Sequence, residues 1–156
     1  MPDTKGESEE ERLTRNWNEL LQELRVTQTG IQILTAFLVT LPFTDRFADL
    51  DSLQRRTYLI VLCGCVITTG LVVAPVAFHR ILFRQRRRPW LVDAANRCAQ
   101  VGLLTLALTV SGVVFLVFDM VIDRTASAIA LALTAVFFAL LWLYVPLTKD
   151  RAARNG

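Results

Sequence analysis

YLIVLCGCVITTGLVVAPVAF, running from Tyr58 to Phe78, is the stretch of sequence that decides the fold. It contains no charged residue, and as a helix it is long enough to cross a hydrocarbon core of about 30 Å, because each helical residue rises about 1.5 Å. Residues 26–43, 98–118 and 125–148 are also free of charged side chains. We therefore predict an all-α integral membrane protein whose four-helix bundle occupies residues 26–148.

The composition of the whole chain agrees with this prediction. Of the 156 residues, 53% are hydrophobic and 20% are charged, and the mean hydropathy is +0.43. A soluble domain of this length needs far fewer apolar residues to fill its core. The composition therefore excludes soluble enzyme folds, and a net charge of only +3 argues against nucleic acid as a partner.

The amino-terminal arm is predicted to have two parts. Residues 1–11 are acidic and lack an apolar run, so we expect a disordered, solvated tail that is not cleaved as a signal peptide. Ser8 and Glu11 have the spacing of a capping box, which predicts a helix start. Residues 12–25 then place leucines and Trp17 on one helical face, which is typical of an amphipathic helix at the membrane surface. Packing of this helix against the protein's own cytoplasmic loops explains the pattern equally well.

Basic residues in the arms and connections predict the topology. Thirteen lysines and arginines lie before the first span, between the second and third spans, or after the fourth. Only four lie in the other two connections. Because basic residues near a span resist translocation, we expect both termini, including the tail 149–156, to be cytoplasmic. The thirteen are Lys5, Arg12, Arg15, Arg25, Arg80, Arg84, Arg86, Arg87, Arg88, Arg97, Lys149, Arg151 and Arg154.

The two halves of the chain share a weak repeat. Arg25 to Gly30 and Arg97 to Gly102 both read Arg-x-x-Gln-x-Gly at the start of a span, and the second span of each half is predicted to end at a proline, Pro75 or Pro146. Two duplicated helical hairpins related by a pseudo-twofold axis would produce this pattern. Convergence of ordinary span-boundary residues would produce it as well.

A polar stripe crosses the boundary between the arm and the first span. It is made of Asn18, Gln22, Arg25, Thr29 and Gln32, which share one arc when each residue advances about 100°. Polar groups at membrane depth need partners, so we expect Gln28, Gln32 and Gln100 to face the bundle and to bond to threonines of other spans. The expected acceptors and donors are Thr68, Thr69, Thr105 and Thr109. Hydrogen bonding between helices is the favoured interpretation, and a path for a solute is the alternative.

Candidates for chemistry are few. His79 stands alone near the end of the second span, and Cys63, Cys65 and Cys98 lack the spacing of a metal or redox motif. We therefore predict no catalytic residues, no metal site, no cofactor and no enzymatic activity. No carboxylate lies centrally in a span, and we expect water to solvate those at the span edges. They are Glu19, Glu23 and Asp93 on the cytoplasmic edge and Asp119 and Asp123 on the outer edge.

An arginine run follows the second span, and its members are Arg80, Arg84, Arg86, Arg87 and Arg88. Such a run beside a span attracts anionic headgroups of the cytoplasmic leaflet, at about 1 kcal/mol per basic residue. We expect it to bind anionic lipid and also to enforce the topology.

Three motifs carry a family resemblance. RNWNELLQELRVTQTG at residues 15–30, LPF at 41–43 followed by Arg46-Phe47, and APV at 74–76 followed by His79-Arg80 resemble an uncharacterised actinobacterial family of small four-helix integral membrane proteins. Its members are often labelled sodium:proton antiporters. The resemblance implies a multi-pass protein of the bacterial cytoplasmic membrane. It also implies that a set of residues belongs to the family pattern, namely Asn16, Glu19, Glu23, Arg25, Gln28, His79 and Arg80.

Two functions remain as expectations. The first is a non-enzymatic structural or accessory role, as a homo-oligomer or as a subunit of a larger membrane complex. The alternative is a small ion or proton conductor, including a sodium:proton antiporter, with a polar vestibule. The residues expected to line such a vestibule are Glu19, Glu23, Arg25, Gln28, Gln32 and Gln100.

Overall fold

The computed structural model describes residues 9–82 and 88–144, and the described chain is all-α. Apolar runs of helical length form long helices, and these helices extend into the charged residues beside each run. The predicted four-helix architecture is confirmed. The helices are α1 (Glu9–Thr40), α2 (Ser52–Leu82), α3 (Arg88–Val121) and α4 (Arg124–Ala139), and a π-helical turn (Leu140–Tyr144) extends α4.

Each of the four helices, with the short helical turn that follows α1 and α4, supplies a segment that is long and apolar enough to cross a membrane. These segments are Leu21–Phe43, Ser52–Phe78, Asp93–Val121 and Arg124–Trp142. The second and third segments begin several residues before the predicted spans, because the helices continue through the polar residues that flank each apolar run. The amino-terminal arm and the first span likewise form one continuous helix, which already includes residues 9–11.

The helices pack in the order in which they occur along the chain. The most extensive interface joins α2 to α3, α4 packs on α3, and α1 packs on α2 with a smaller contact to α3. Helices α1 and α4 share no contact in the described part of the chain. The bundle is therefore open along one side.

Small residues bring α2 and α3 close together. A Cβ atom added to Gly112 of α3 would lie 2.7 Å from Val61 Cγ2 of α2, and one added to Gly64 would collide with the Thr109 hydroxyl. Close approach of this kind is how membrane helices gain packing energy where the solvent is itself apolar.

The core centres on α2. Ile31 and Leu38 of α1 and Leu116 of α3 are buried against it. The Tyr58 hydroxyl donates a hydrogen bond to the Leu38 carbonyl oxygen at 3.1 Å, and the Phe47 ring meets the Tyr58 ring edge-on at 5.2 Å between centroids. These contacts fix the connection between α1 and α2.

The expectation that α2 ends at its proline is wrong. Pro75 is buried inside α2, and the helix continues beyond it to Leu82. Membrane helices tolerate an internal proline because neighbouring groups satisfy the freed backbone carbonyl. Pro146, the corresponding residue of the proposed repeat, lies outside the described residues.

Candidate functional site

The structure places the predicted vestibule residues on the surface rather than around a cavity. Glu19, Glu23, Arg25 and Gln32 are exposed on α1, Gln28 is half-buried, and Gln100 is exposed on α3. At about 100° per residue, Glu19 and Glu23 lie on a face of α1 roughly opposite that of Arg25 and Gln32. One chain alone does not bring them together.

The expected hydrogen bonds from glutamines to threonines across the bundle do not form. The four threonine hydroxyls instead donate to backbone carbonyls four residues earlier in their own helices, at 2.7–2.8 Å. That carbonyl is always within reach in a helix, so a threonine needs no partner from another span. Gln32 is exposed because the edge of α1 that packs on the core carries Leu24, Ile31 and Leu38, and Gln100 of α3 is exposed as well. The sequence period identified a polar face, but it could not identify the face that packs.

The five residues of the polar stripe lie on one continuous helix, and all of them are exposed. Asn18, Gln22, Arg25, Thr29 and Gln32 are all accessible on α1. Gln32 lies at the middle of the first membrane-length segment, eleven residues from either end of Leu21–Phe43. Thr29 donates its hydroxyl to the Arg25 carbonyl oxygen at 3.1 Å. Within residues 9–82 and 88–144, no hydrogen bond engages the Gln32 carboxamide.

A separate groove lies between α1 and the end of α4, where the two helices do not meet. Its volume is about 470 Å³, and it is open along its length. Its walls are almost entirely apolar, so it can accommodate hydrocarbon but offers no ligands for an ion. Residues from three helices line it, among them Gly30, Ile33 and Phe37 of α1, Leu103 and Leu106 of α3, and Trp142 after α4.

A cluster of ion-paired side chains, called the ion cluster, joins three helices at the end of the bundle opposite the start of α1 and the end of α4. Arg124, the first residue of α4, donates from Nε to Asp119 Oδ1 at 2.7 Å. Its Nη2 atom donates to Asp51 Oδ2 at 2.6 Å. Gln54 of α2 also donates to the Asp119 carbonyl oxygen at 3.4 Å. The cluster therefore ties the start of α2, the end of α3 and the start of α4 together.

Asp119 is the buried member of this cluster. Its side chain is only 2% exposed, so the expectation that water solvates it is wrong. Ser127 is fully buried, with its hydroxyl 3.3 Å from Asp119 Oδ1. The second carboxylate oxygen, Oδ2, is buried without a hydrogen-bond partner in the described part of the chain. Asp123 does remain exposed, and its Oδ1 accepts from the Ala126 amide at 2.8 Å to cap α4.

Asp51 is the exposed member and also caps α2. Its Oδ1 accepts from the amides of Leu53 and Gln54, both at 2.8 Å, and Gln54 Oε1 accepts from the Asp51 amide at 3.0 Å. This is a reciprocal capping box. The Gln54 amide, followed by Arg124, lowers the pKa of the Asp51 carboxyl, because each stabilises the ionised form against partial desolvation.

The sequence contained a signal for part of this site. Asp51-Ser52-Leu53-Gln54 has capping-box spacing, and the apolar run that begins at Tyr58 follows after Arg55, Arg56 and Thr57. Asp119 and Arg124 sit five residues apart across a short turn, but their contact with Asp51 depends on the fold.

The remaining predicted sites are only partly described. Arg80 is exposed on α2, and α3 begins at Arg88, whereas Arg84, Arg86 and Arg87 lie outside the described residues. Of the three free cysteines, Cys63 is exposed, Cys65 buried and Cys98 half-buried. In the described ranges, no group of three or more histidine, cysteine or carboxylate side chains could hold a metal ion.

Four membrane-length helices and an ion cluster at one end define a small all-α protein of the membrane-spanning class. The chain belongs to a protein family described as a family of unknown function, DUF6328, which matches residues 6–146. No curated protein and no solved structure shows a significant match to the chain.

Proposed function

We propose that this protein is a non-enzymatic structural or accessory protein of the bacterial cytoplasmic membrane, acting as a homo-oligomer or as a subunit of a larger membrane complex. The observation that carries the proposal is the exposed polar stripe on α1. Gln32 lies in the middle of a membrane-length segment and is exposed. Lipid chains offer no hydrogen bonds to a carboxamide, so a polar group at this depth calls for a protein partner.

The loose attachment of α1 supports the same proposal. Helix α1 packs on α2 and only slightly on α3, and within the described residues it makes no contact with α4. Much of its surface, polar and apolar, is therefore available to another protein. An accessory membrane protein needs such a surface.

We further propose that both termini are cytoplasmic and that the arginine run binds anionic lipid of the inner leaflet. The excess of basic residues in the arm, the second connection and the tail supports this orientation. Arg80, the first of the run, is exposed at the end of α2. Exposure leaves its guanidinium accessible to headgroups.

Purification from native membranes in a mild detergent tests the proposed function. The mass of the intact particle and the identity of any co-purifying protein are measured by native mass spectrometry. We expect either a homo-oligomer or a stoichiometric complex with another membrane protein. A particle that stays monomeric and carries no partner at all detergent concentrations would overturn the proposal.

Asp119 favours a second candidate, an ion or proton conductor that includes the antiporter class. A buried carboxylate within a membrane-length segment is a common feature of ion pathways, and Asp119 Oδ2 is a buried acceptor without a partner in the described chain. Reconstitution into liposomes, with sodium and proton flux as the measurement, tests this candidate. A conductor should lose flux in Asp119→Asn but keep it in Asp123→Asn, the matched change at an exposed cap.

Two residues of the predicted vestibule allow a second test of the same candidate by the same flux measurement. If Glu23 and Arg25 line a path, Glu23→Gln and Arg25→Gln should each reduce flux while the protein remains folded. In a structural protein, the same changes should alter stability or association instead.

A further inference from the structure

We propose that the partner of the polar stripe is a second copy of this chain, packed in parallel along α1 with the two Gln32 carboxamides hydrogen-bonded to each other. This inference rests on the proposed function, because it names the partner that the accessory role requires.

The exposed residues of the polar stripe are spaced like the residues of an interface between two helices. Six exposed positions of α1 follow one another at alternating steps of four and three residues: Asn18, Gln22, Arg25, Thr29, Gln32 and Ala36. Alternating steps of four and three give a repeat of 3.5 residues, which is the period of the seam between two helices that supercoil with a left hand. Most membrane helix pairs cross in this way, at about 20°.

The opposite side of α1 already has a different partner. Leu24, Ile31 and Leu38 are spaced by seven residues and are buried in the core. The centre of this row lies about 140° around the helix from the centre of the stripe, at about 100° per residue. Helix α1 therefore carries two rows of residues with the same period. Within a single chain, the row of Leu24, Ile31 and Leu38 packs against the core, and the polar stripe stays exposed.

The Gln32 carboxamide can hydrogen-bond to an identical carboxamide, and this favours a second copy of the chain as the partner of the polar stripe. A twofold axis along the membrane normal places α1 beside an identical helix, so each seam residue meets its own copy. Pairing of like with like is satisfied only by a group that both donates and accepts. A carboxamide does both, whereas a carboxylate or a guanidinium does not.

The flanking residues suit close approach. Thr29 and Ala36 lie on either side of Gln32 in the seam, and both are small. Small residues allow helix backbones to approach closely in membranes, which shortens the distance between the two carboxamides.

Arg25 is compatible with this arrangement. It lies seven residues from Gln32 towards the amino terminus, about 10 Å along the helix at about 1.5 Å per residue. At that depth, near the start of the membrane-length segment Leu21–Phe43, a long arginine stem can carry its charge outwards to water and away from the second copy.

Disulfide cross-linking in native membranes tests the interface while leaving Gln32 in place. In a background where Cys63, Cys65 and Cys98 are replaced by alanine, Ala36→Cys places a thiol on the proposed seam. Phe37→Cys is the matched control, because Phe37 is the next residue, equally accessible, and lines the groove instead. We expect oxidation to produce a covalent dimer of Ala36→Cys and little dimer of Phe37→Cys.

A second measurement tests the role of the carboxamide. Gln32→Leu should raise the dimer dissociation constant by about tenfold, the effect expected from losing about 1–2 kcal/mol of hydrogen bonding between membrane helices. Gln100→Leu, a matched change at another exposed glutamine, should leave it unchanged, and Gln32→Asn should restore most of the affinity. Equal dimerisation of Gln32→Leu and wild type would overturn the inference.

The outcomes separate this inference from the proposed function. If Ala36→Cys cross-links to a different protein, or if Phe37→Cys forms the homodimer instead, the inference fails and the accessory role stands. If the native particle is a monomer without any partner, both fail.

Discussion

Arg124 donates from Nε to Asp119 Oδ1 at 2.7 Å, and this contact joins the first residue of α4 to the last turn of α3. The same guanidinium reaches Asp51 Oδ2 at the start of α2. One arginine thus connects three helix ends. Because the Asp119 side chain is almost fully buried, loss of this arginine would leave a buried carboxylate without its ion-pair partner.

Removing Arg124 should therefore destabilise the protein more than removing the whole ion pair. In Arg124→Gln, the Asp119 carboxylate remains buried without its counter-charge, so the thermal midpoint in detergent should fall. In Asp119→Asn with Arg124→Gln, no buried charge remains, and much of the loss should be recovered. Arg46→Gln, at an exposed arginine of the connection between α1 and α2, is the control and should have little effect. Strictly additive effects at Asp119 and Arg124 would contradict the prediction.

Larger residues in the interface between α2 and α3 should lower the stability of the protein. Gly112→Ala places a Cβ atom 2.7 Å from Val61 Cγ2, and overpacking of this kind costs about 1–3 kcal/mol of unfolding free energy. Gly30→Ala is the control, since nothing lies within 4 Å of the added atom and alanine favours a helix over glycine. Unfolding in mixed micelles with increasing denaturing detergent measures both. Equal stability of the two variants would show that the interface can relax.

Tyr58→Phe should weaken the connection between α1 and α2. The change deletes only the hydroxyl that bonds to the Leu38 carbonyl and leaves the ring contact with Phe47 in place. We expect a loss of about 1 kcal/mol in unfolding free energy, the usual net value of such a bond. Tyr144→Phe, at an exposed tyrosine, should be neutral in the same assay.

Asp51 should contribute a pH-dependent part of the stability. Its folded pKa lies below the ordinary value of 3.8, so folding favours the ionised form. This contribution is fully present above pH 3.8 and is lost as the pH falls through the lower, folded pKa. The stability difference between wild type and Asp51→Asn should therefore shrink as the protein is acidified below pH 3.8. Asp49→Asn, at an exposed neighbouring carboxylate, is the matched control for the loss of one negative charge.

The four helices could be predicted from sequence because each depends on one local property, an uncharged run of sufficient length. The capping boundary at Asp51 was not predicted, although its bonds to Leu53 and Gln54 are local and the residue spacing is visible in the sequence. Continuous helix through the arm was harder to predict, because an amphipathic pattern does not show whether a helix bends at the membrane surface.

The ion cluster and the exposure of Gln32 and Gln100 could not be predicted from one local property of the sequence. The contact between Arg124 and Asp51 joins residues 73 positions apart, so it exists only once α2, α3 and α4 have packed. The direction of Gln32 depends on which edge of α1 meets α2. Helical period gives the relative angles of side chains, but it does not choose between two suitable faces.

The absence of contact between α1 and α4 has a consequence for how the protein is made. The largest interfaces join helices that follow one another in the chain: α1 with α2, α2 with α3, and α3 with α4. Each new span therefore finds a helix on which it packs already synthesised, and the first helix does not wait for the last. Such an order of contacts favours early, local assembly. The fold can be completed step by step as the ribosome delivers each span to the membrane.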